Sequence, residues 1–158
     1  MYHKHIQILQ VTINIDFINY KCYIPTMENL DISSLKNVIN SLNSILIRYQ
    51  KDNYDIDIRD AVIQRFEYTY SLAIKMMNRY INLYSSDTIS DMTFNEIIRK
   101  ANKLGLLKND LEKWTEYRQK RNMTSHTYDE RIANQVVDII PNFKQDAEFL
   151  YNSLESKL

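Results

Sequence analysis

The stretch Arg121-Asn122-Met123-Thr124-Ser125-His126-Thr127-Tyr128-Asp129-Glu130 puts a guanidinium, an imidazole and a phenol within eight positions. Arginine is always charged and planar, and can give two parallel hydrogen bonds to a phosphate or a pentacoordinate phosphorane. A neutral imidazole can act as a base near pH 7. A cation and a neutral imidazole at one phosphate suffice for metal-free RNA cleavage, with His126 taking the proton of a ribose 2′-hydroxyl. The bland alternative is that Arg121 ends a solvated helix face and His126 fills a turn.

Which alternative holds depends on the backbone. An α-helix advances about 100° per residue, so an unbroken helix would set His126 about 140° around the cylinder from Arg121. The two converge only if the helix ends between them. Thr124, Ser125 and Thr127 favour caps and turns, and Thr127-Tyr128-Asp129-Glu130 has the form of a capping box. This predicts Thr127 as an N-cap, with His126 just outside a new helix and Tyr128 in its first turn. The unpaired N–H groups of a helix start would welcome a phosphate and disfavour a proton on His126. Asp129 and Glu130 act in the opposite direction.

The elements that must hold this segment read as helices. Leu35, Val38, Ile39, Leu42, Leu46 and Tyr49 form an apolar stripe that starts at Asp31 or Ser33 as cap and ends near Gln50. A second helix from about Ile56 to Tyr84 carries Val62, Phe66, Thr69, Ala73, Met77, Tyr80 and Tyr84. Ile63, Tyr70 and Ile74 join that stripe, which predicts burial on more than one face and a place at the bundle centre. The Met76-Met77 pair reads as core packing. A polar stretch, Ser85-Ser86-Asp87-Thr88, then interrupts the pattern. Thr93-Phe94-Asn95-Glu96 opens a short helix that Gly105 closes. A third long helix runs from about Lys108 to Met123, burying Leu111, Trp114 and Tyr117. The fourth starts after Thr127, and Pro141 should kink it or split it in two, because proline cannot donate to Val137. The expected fold is an all-α, antiparallel four-helix bundle with a short extra helix between helices two and three.

Composition agrees with one helical domain. The chain has 158 residues, one Gly and two Pro, which leaves little material for β-turns, and 12 Tyr and 5 Phe to fill a core. A formal net charge of zero gives no global attraction to nucleic acid. Lys113, Arg118, Lys120 and Arg121 form a local basic cluster that reads as a solvated helix face. Cys22 is the only cysteine, so no intramolecular disulfide can form and a cytoplasmic location is expected. His3 and His5 stand far from His126, so zinc-type spacing is absent and neither metal nor cofactor is expected.

Residues 1–26 differ from the rest. Val11, Ile13, Ile15 and Phe17 alternate with polar residues as a strand would, yet no second strand follows. Asn14 and Asp16 interrupt the apolar run, which is neither a good signal peptide nor a membrane span. The expectation is an N-terminal extension upstream of a domain covering residues 27–158, with translation beginning at Met27. A pairing arm that docks on a partner is the alternative.

The segment Arg121 to Glu130 resembles the Arg-x4-His-x-Tyr signature of HEPN-domain proteins of the nucleotidyltransferase substrate-binding family, which includes HepT-like toxins. The likeness extends to Ile63-Gln64-Arg65-Phe66-Glu67-Tyr68-Thr69-Tyr70-Ser71-Leu72-Ala73, to Ala101-Asn102-Lys103-Leu104-Gly105-Leu106-Leu107 with Trp114, and to Met27-Glu28-Asn29-Leu30-Asp31. Two departures stand out: Ile74 where the family often has Trp, and Ser71 where it often has Glu. The resemblance implies a metal-independent endoribonuclease toxin with His126 as base, Arg121 as phosphate clamp and Asn122 as an orienting polar group. It also implies a homodimer that faces two copies of the pair across one RNA cleft, and a minimal nucleotidyltransferase partner acting as antitoxin. Tyr128 is then the expected acceptor of adenylyl groups. A non-catalytic module that completes a nucleotidyltransferase active site is the second reading, and a plain structural adaptor the third.

Overall fold

The computed structural model describes residues 30–84 and 92–158. The extension at residues 1–26, with His3, His5 and Cys22, lies outside the described residues, as does the polar stretch Ser85 to Thr88. Among the described residues there are six α-helices and no strand: α1 (Ser33–Lys51), α2 (Ile56–Tyr84), α3 (Phe94–Lys103), α4 (Leu111–Met123), α5 (Glu130–Val137) and α6 (Ile140–Glu155). A 3₁₀ turn, Thr124–His126, links α4 to α5. The third long helix of the sequence is α4, and the fourth is α5 and α6 together. The fold is the expected all-α antiparallel bundle, with α3 as the short extra helix.

Helix α2 packs against each of the other five, which gives it the central place its broad apolar surface predicted. Val62, Phe66, Thr69, Ala73, Met77 and Ile81 are fully buried along it. Met76 and Met77 are core residues. Tyr84 departs from the expected stripe: it is exposed at the helix end, with its ring lying against Tyr80.

Helix boundaries follow caps. Thr93 and Glu96 form the predicted capping box, with the Thr93 hydroxyl accepting from Glu96 N and the Glu96 carboxylate accepting from Thr93 N at 2.7 Å. At the other end of α3, Gly105 takes φ +70°, the left-handed conformation that closes a helix without a Cβ penalty. Gly105 N–H donates to Asn102 and Leu106 N–H to Ala101, a Schellman ending. Helix α4 starts at Leu111 rather than at Lys108, because the Asp110 carboxylate accepts from Glu112 N and Lys113 N and so fixes the first turn. Helix α1 starts at Ser33 after an Ile32 that makes no side-chain cap, although Asp31 accepts from Ser33 N at 2.8 Å. Pro141 falls in the first turn of α6, and the expected single helix is split there.

The core centres on Phe143 of α6. Its ring meets Phe66 of α2 at 5.0 Å and Tyr117 of α4 at 5.2 Å, both edge-on, and Trp114 at 6.3 Å. Such pairs add about 0.5–1.5 kcal/mol each beyond area burial. This aromatic knot fixes α4 against α2 and α6 one turn before Arg121.

Candidate functional site

Helix α4 ends where the candidate pair requires it to. Three hydroxyls each donate to a carbonyl three residues back: Thr124 to Arg121 at 2.8 Å, Ser125 to Asn122 at 3.4 Å and Thr127 to Thr124 at 3.0 Å. They add side-chain donors to carbonyls at the end of α4, beside the Thr124 N–H that already donates to Arg121 O, as the chain tightens into a 3₁₀ turn. His126 is the last residue of that turn, and its carbonyl accepts from Asp129 N at 3.1 Å.

The N-cap expected at Thr127 is at Asp129 instead. Thr127 has φ −75° and ψ 1°, and its hydroxyl is already used on Thr124. The Asp129 carboxylate accepts from Arg131 N at 2.9 Å and Ile132 N at 3.4 Å, so α5 begins at Glu130. An ionised acceptor competes better for those donors than a hydroxyl with a nearer partner. Two consequences follow. Tyr128 precedes the cap rather than lying in the first turn, and projects with 87% of its surface exposed. The helix start predicted to welcome a phosphate is occupied by the protein's own carboxylate.

His126 and Tyr128 are neighbours, with ring centroids 6.1 Å apart and planes at 72°. Arg121 and Asn122 stand one turn earlier, at the end of α4. Arg121 is half-buried and its guanidinium lies 3.2 Å from the Glu67 carboxylate of α2. Glu67 escaped the reading from the sequence, being 54 positions away; its signal was the i, i+4, i+7 row of Glu67, Ser71 and Ile74 on α2. The same row leads into a groove of about 370 Å³ between α2, α3 and α4, lined by Tyr70, Ser71, Ile74, Phe94, Ile97, Arg118, Arg121 and Asn122. Ser71 and Ile74, the two departures from the family pattern, thus both line it. Arg118, read from sequence as part of a solvated face, has its guanidinium carbon 4.4 Å from the centre of the Phe94 ring.

The first half of α4 explains how the site is held. Asp146 of α6 is buried and accepts from both Asn109 Nδ2, at 2.7 and 2.9 Å, and Tyr117 Oη, at 2.6 Å. Burial, with the Asp146 carboxylate beside it, pushes the Tyr117 phenol well above its ordinary range. Tyr117 therefore remains a donor and pins α4 to α6.

An all-α bundle whose third long helix ends in a half-buried guanidinium, followed by an exposed imidazole and phenol, defines a class, and the comparisons identify it. The family model described as nucleotidyltransferase substrate binding protein like matches residues 30–156, and the chain belongs to that family. A Haemophilus influenzae protein named probable ribonuclease HepT is 31% identical over 141 residues, covering 82% of this chain and 95% of the relative. A solved Haemophilus influenzae structure, described as the fold of a substrate binding domain of a nucleotidyltransferase, matches with a TM-score of 0.74 at 31% identity, covering 79% of this chain and 99% of the other. A Thermus thermophilus crystal structure shares the fold at a TM-score of 0.63 and 24% identity, over 76% of this chain and 98% of that one. Among the described residues no helix is long and apolar enough to cross a membrane.

Proposed function

We propose that this chain is an endoribonuclease that works as the partner of a minimal nucleotidyltransferase, with Arg121 and His126 as its catalytic pair. The observation that carries the reading is the break at Met123, which leaves His126 in an exposed turn beside Tyr128 and a few residues from the Arg121 guanidinium. The 31% identical relative named probable ribonuclease HepT supports it. In the proposed reaction the His126 imidazole takes the proton of a ribose 2′-hydroxyl. The 2′-oxygen attacks the adjacent phosphorus, and the bond to the 5′-oxygen breaks, leaving a 2′,3′-cyclic phosphate. The imidazolium then returns its proton to the departing 5′-oxygen. Arg121 neutralises the charge that builds on the non-bridging oxygens, and Asn122 orients the phosphate. A two-fold dimer would set two such pairs across one cleft.

Regulation falls to Tyr128. Its phenol, almost wholly exposed, would attack the α-phosphorus of a nucleoside triphosphate held by the nucleotidyltransferase and expel pyrophosphate. The AMP so attached puts a phosphodiester charge and a base over the cleft, excluding RNA by charge and by bulk. The test is expression with and without a minimal nucleotidyltransferase of the proposed partner class, following growth, RNA integrity and the mass of the Tyr128 peptide. The expected result is RNA loss without the partner, and with it an added AMP on Tyr128 that Tyr128→Phe abolishes. Silencing by a bound partner with Tyr128 unmodified would reject the adenylyl mechanism.

One observation favours a second reading, that of a non-catalytic subunit completing a nucleotidyltransferase site. Arg121 is already paired with Glu67, which weakens its claim on a phosphate, and the related solved structure is described as a substrate binding domain. Intact RNA at high protein concentration, with nucleotidyl transfer dependent on this chain, would select it.

A further inference from the structure

The groove beside Arg121 presents polar groups that the fold leaves open to a ligand. Tyr70 lines the groove with its ring packed in the core, and its hydroxyl reaches the groove surface, where it makes no hydrogen bond among the described residues. Burial raises its pKa to about 12, against the pull of Arg118 and Arg121, so the phenol is a donor at any physiological pH.

The other groups around it complement a flat heterocycle. The Ser71 hydroxyl donates to the Glu67 carbonyl at 3.0 Å, leaving its oxygen free to accept. Asn122 is exposed, and its side-chain amide, bonded to nothing among the described residues, offers a donor and an acceptor together. Arg118, against the Phe94 ring, supplies a guanidinium surface on which a base can stack. The volume, about 370 Å³, is at the lower end of small-ligand sites. A carboxylate at position 71 would fill this space and engage the guanidinium groups beside it.

We infer that this groove takes the nucleobase of the RNA nucleotide next to the scissile phosphate, stacked on Arg118 and hydrogen-bonded by Tyr70, Ser71 and Asn122, so that the chain selects its cleavage sites by base. The inference rests on the ribonuclease reading, because Arg121, shared by groove and phosphate clamp, is what sets a bound base next to the reacting phosphorus.

The test uses the full chain and fluorescein-labelled 2′-O-methyl oligonucleotides, which lack the attacking hydroxyl, as homopolymers of each base and as an abasic oligomer of equal length and charge. At least one base series should bind about tenfold more tightly than the abasic oligomer. Tyr70→Phe, Arg118→Ala and Ser71→Glu should each shrink that ratio, with helix content checked by circular dichroism, whereas Arg121→Ala should weaken all oligomers alike. If base-bearing and abasic oligomers bind equally while the unmodified chain still cuts RNA, the base site is wrong and the ribonuclease reading survives. If no oligomer binds and no RNA is cut, both fall. Binding of free AMP without any base-dependent RNA binding would also overturn the assignment, and would give the groove to the nucleotide of the partner reaction.

Discussion

The two halves of α4 use similar residue types for opposite purposes. In the first half and just before it, Tyr117 and Asn109 both donate to the buried Asp146 of α6. At and just beyond its end, Asn122, His126 and Tyr128 face solvent, and the half-buried Arg121 pairs with Glu67 at 3.2 Å. Burial forces the first arrangement, because an unpaired buried polar group costs about 1–3 kcal/mol. Water supports the exposed end at little cost, so its lone pairs and protons remain free for a ligand. Asp146, with both donors in place, fastens the bundle, whereas the open groups after α4 are those the proposed chemistry would use.

The largest expected effect sharpens that contrast on the exposed side. His126→Ala should lower the rate of RNA cleavage by roughly 10²–10⁴-fold, the usual worth of a general base, and Arg121→Ala should abolish growth arrest as well. Neither should shift the thermal midpoint measurably, since both side chains lie at a helix junction outside the core. A collapsed midpoint would erase the distinction between the two halves. Full activity would remove the catalytic pair.

On the buried side the signs reverse. Asp146→Ala strips the acceptor from both Tyr117 and Asn109, and should cost about 3 kcal/mol in urea unfolding. Asp146→Asn keeps one acceptor and should cost about half as much. Unchanged stability in both would mean that the knot does not fasten α4.

Between these extremes lies the cap that displaced the expected one. Asp129→Ala should cost about 1 kcal/mol, as loss of an N-cap does, and Thr127→Ala clearly less. The reverse order would restore Thr127 as the cap and return Tyr128 to the first turn of α5.

The smallest effect belongs to the exposed ion pair. Glu67→Gln should change stability by well under ~1 kcal/mol, and the difference should vanish at high salt, because both side chains are about two-fifths exposed. A large, salt-resistant loss would show that the Glu67–Arg121 pair belongs with the structural half.

Local physics made much of this legible. The limits of α2, the Thr93 box, the Gly105 ending and the break at Pro141 each depend on a few neighbouring residues, whose conformational preferences act whatever surrounds them. The helix break that the candidate pair needs was legible for the same reason: three hydroxylated residues after Met123 end the helix by bonding carbonyls within reach. The cap at Asp129 could be missed because two capping residues compete within three positions, and the winner depends on the partner Thr127 finds behind it.

What the sequence determined by itself, then, is the set of helices, the face each one buries, and the break after Met123 that sets His126 and Tyr128 in an exposed turn. Tertiary structure alone decided that Asp146, an ordinary acidic residue in a helical pattern, is buried under Tyr117 and Asn109. It also decided that Glu67 meets Arg121, and that Tyr70, Ser71 and Arg118 share a groove. Periodicity fixes which side of a helix a residue occupies. The rotation and axial register at which two helices pack bring distant residues within hydrogen-bonding distance, and those are set by the fit of the whole aromatic core around Phe143.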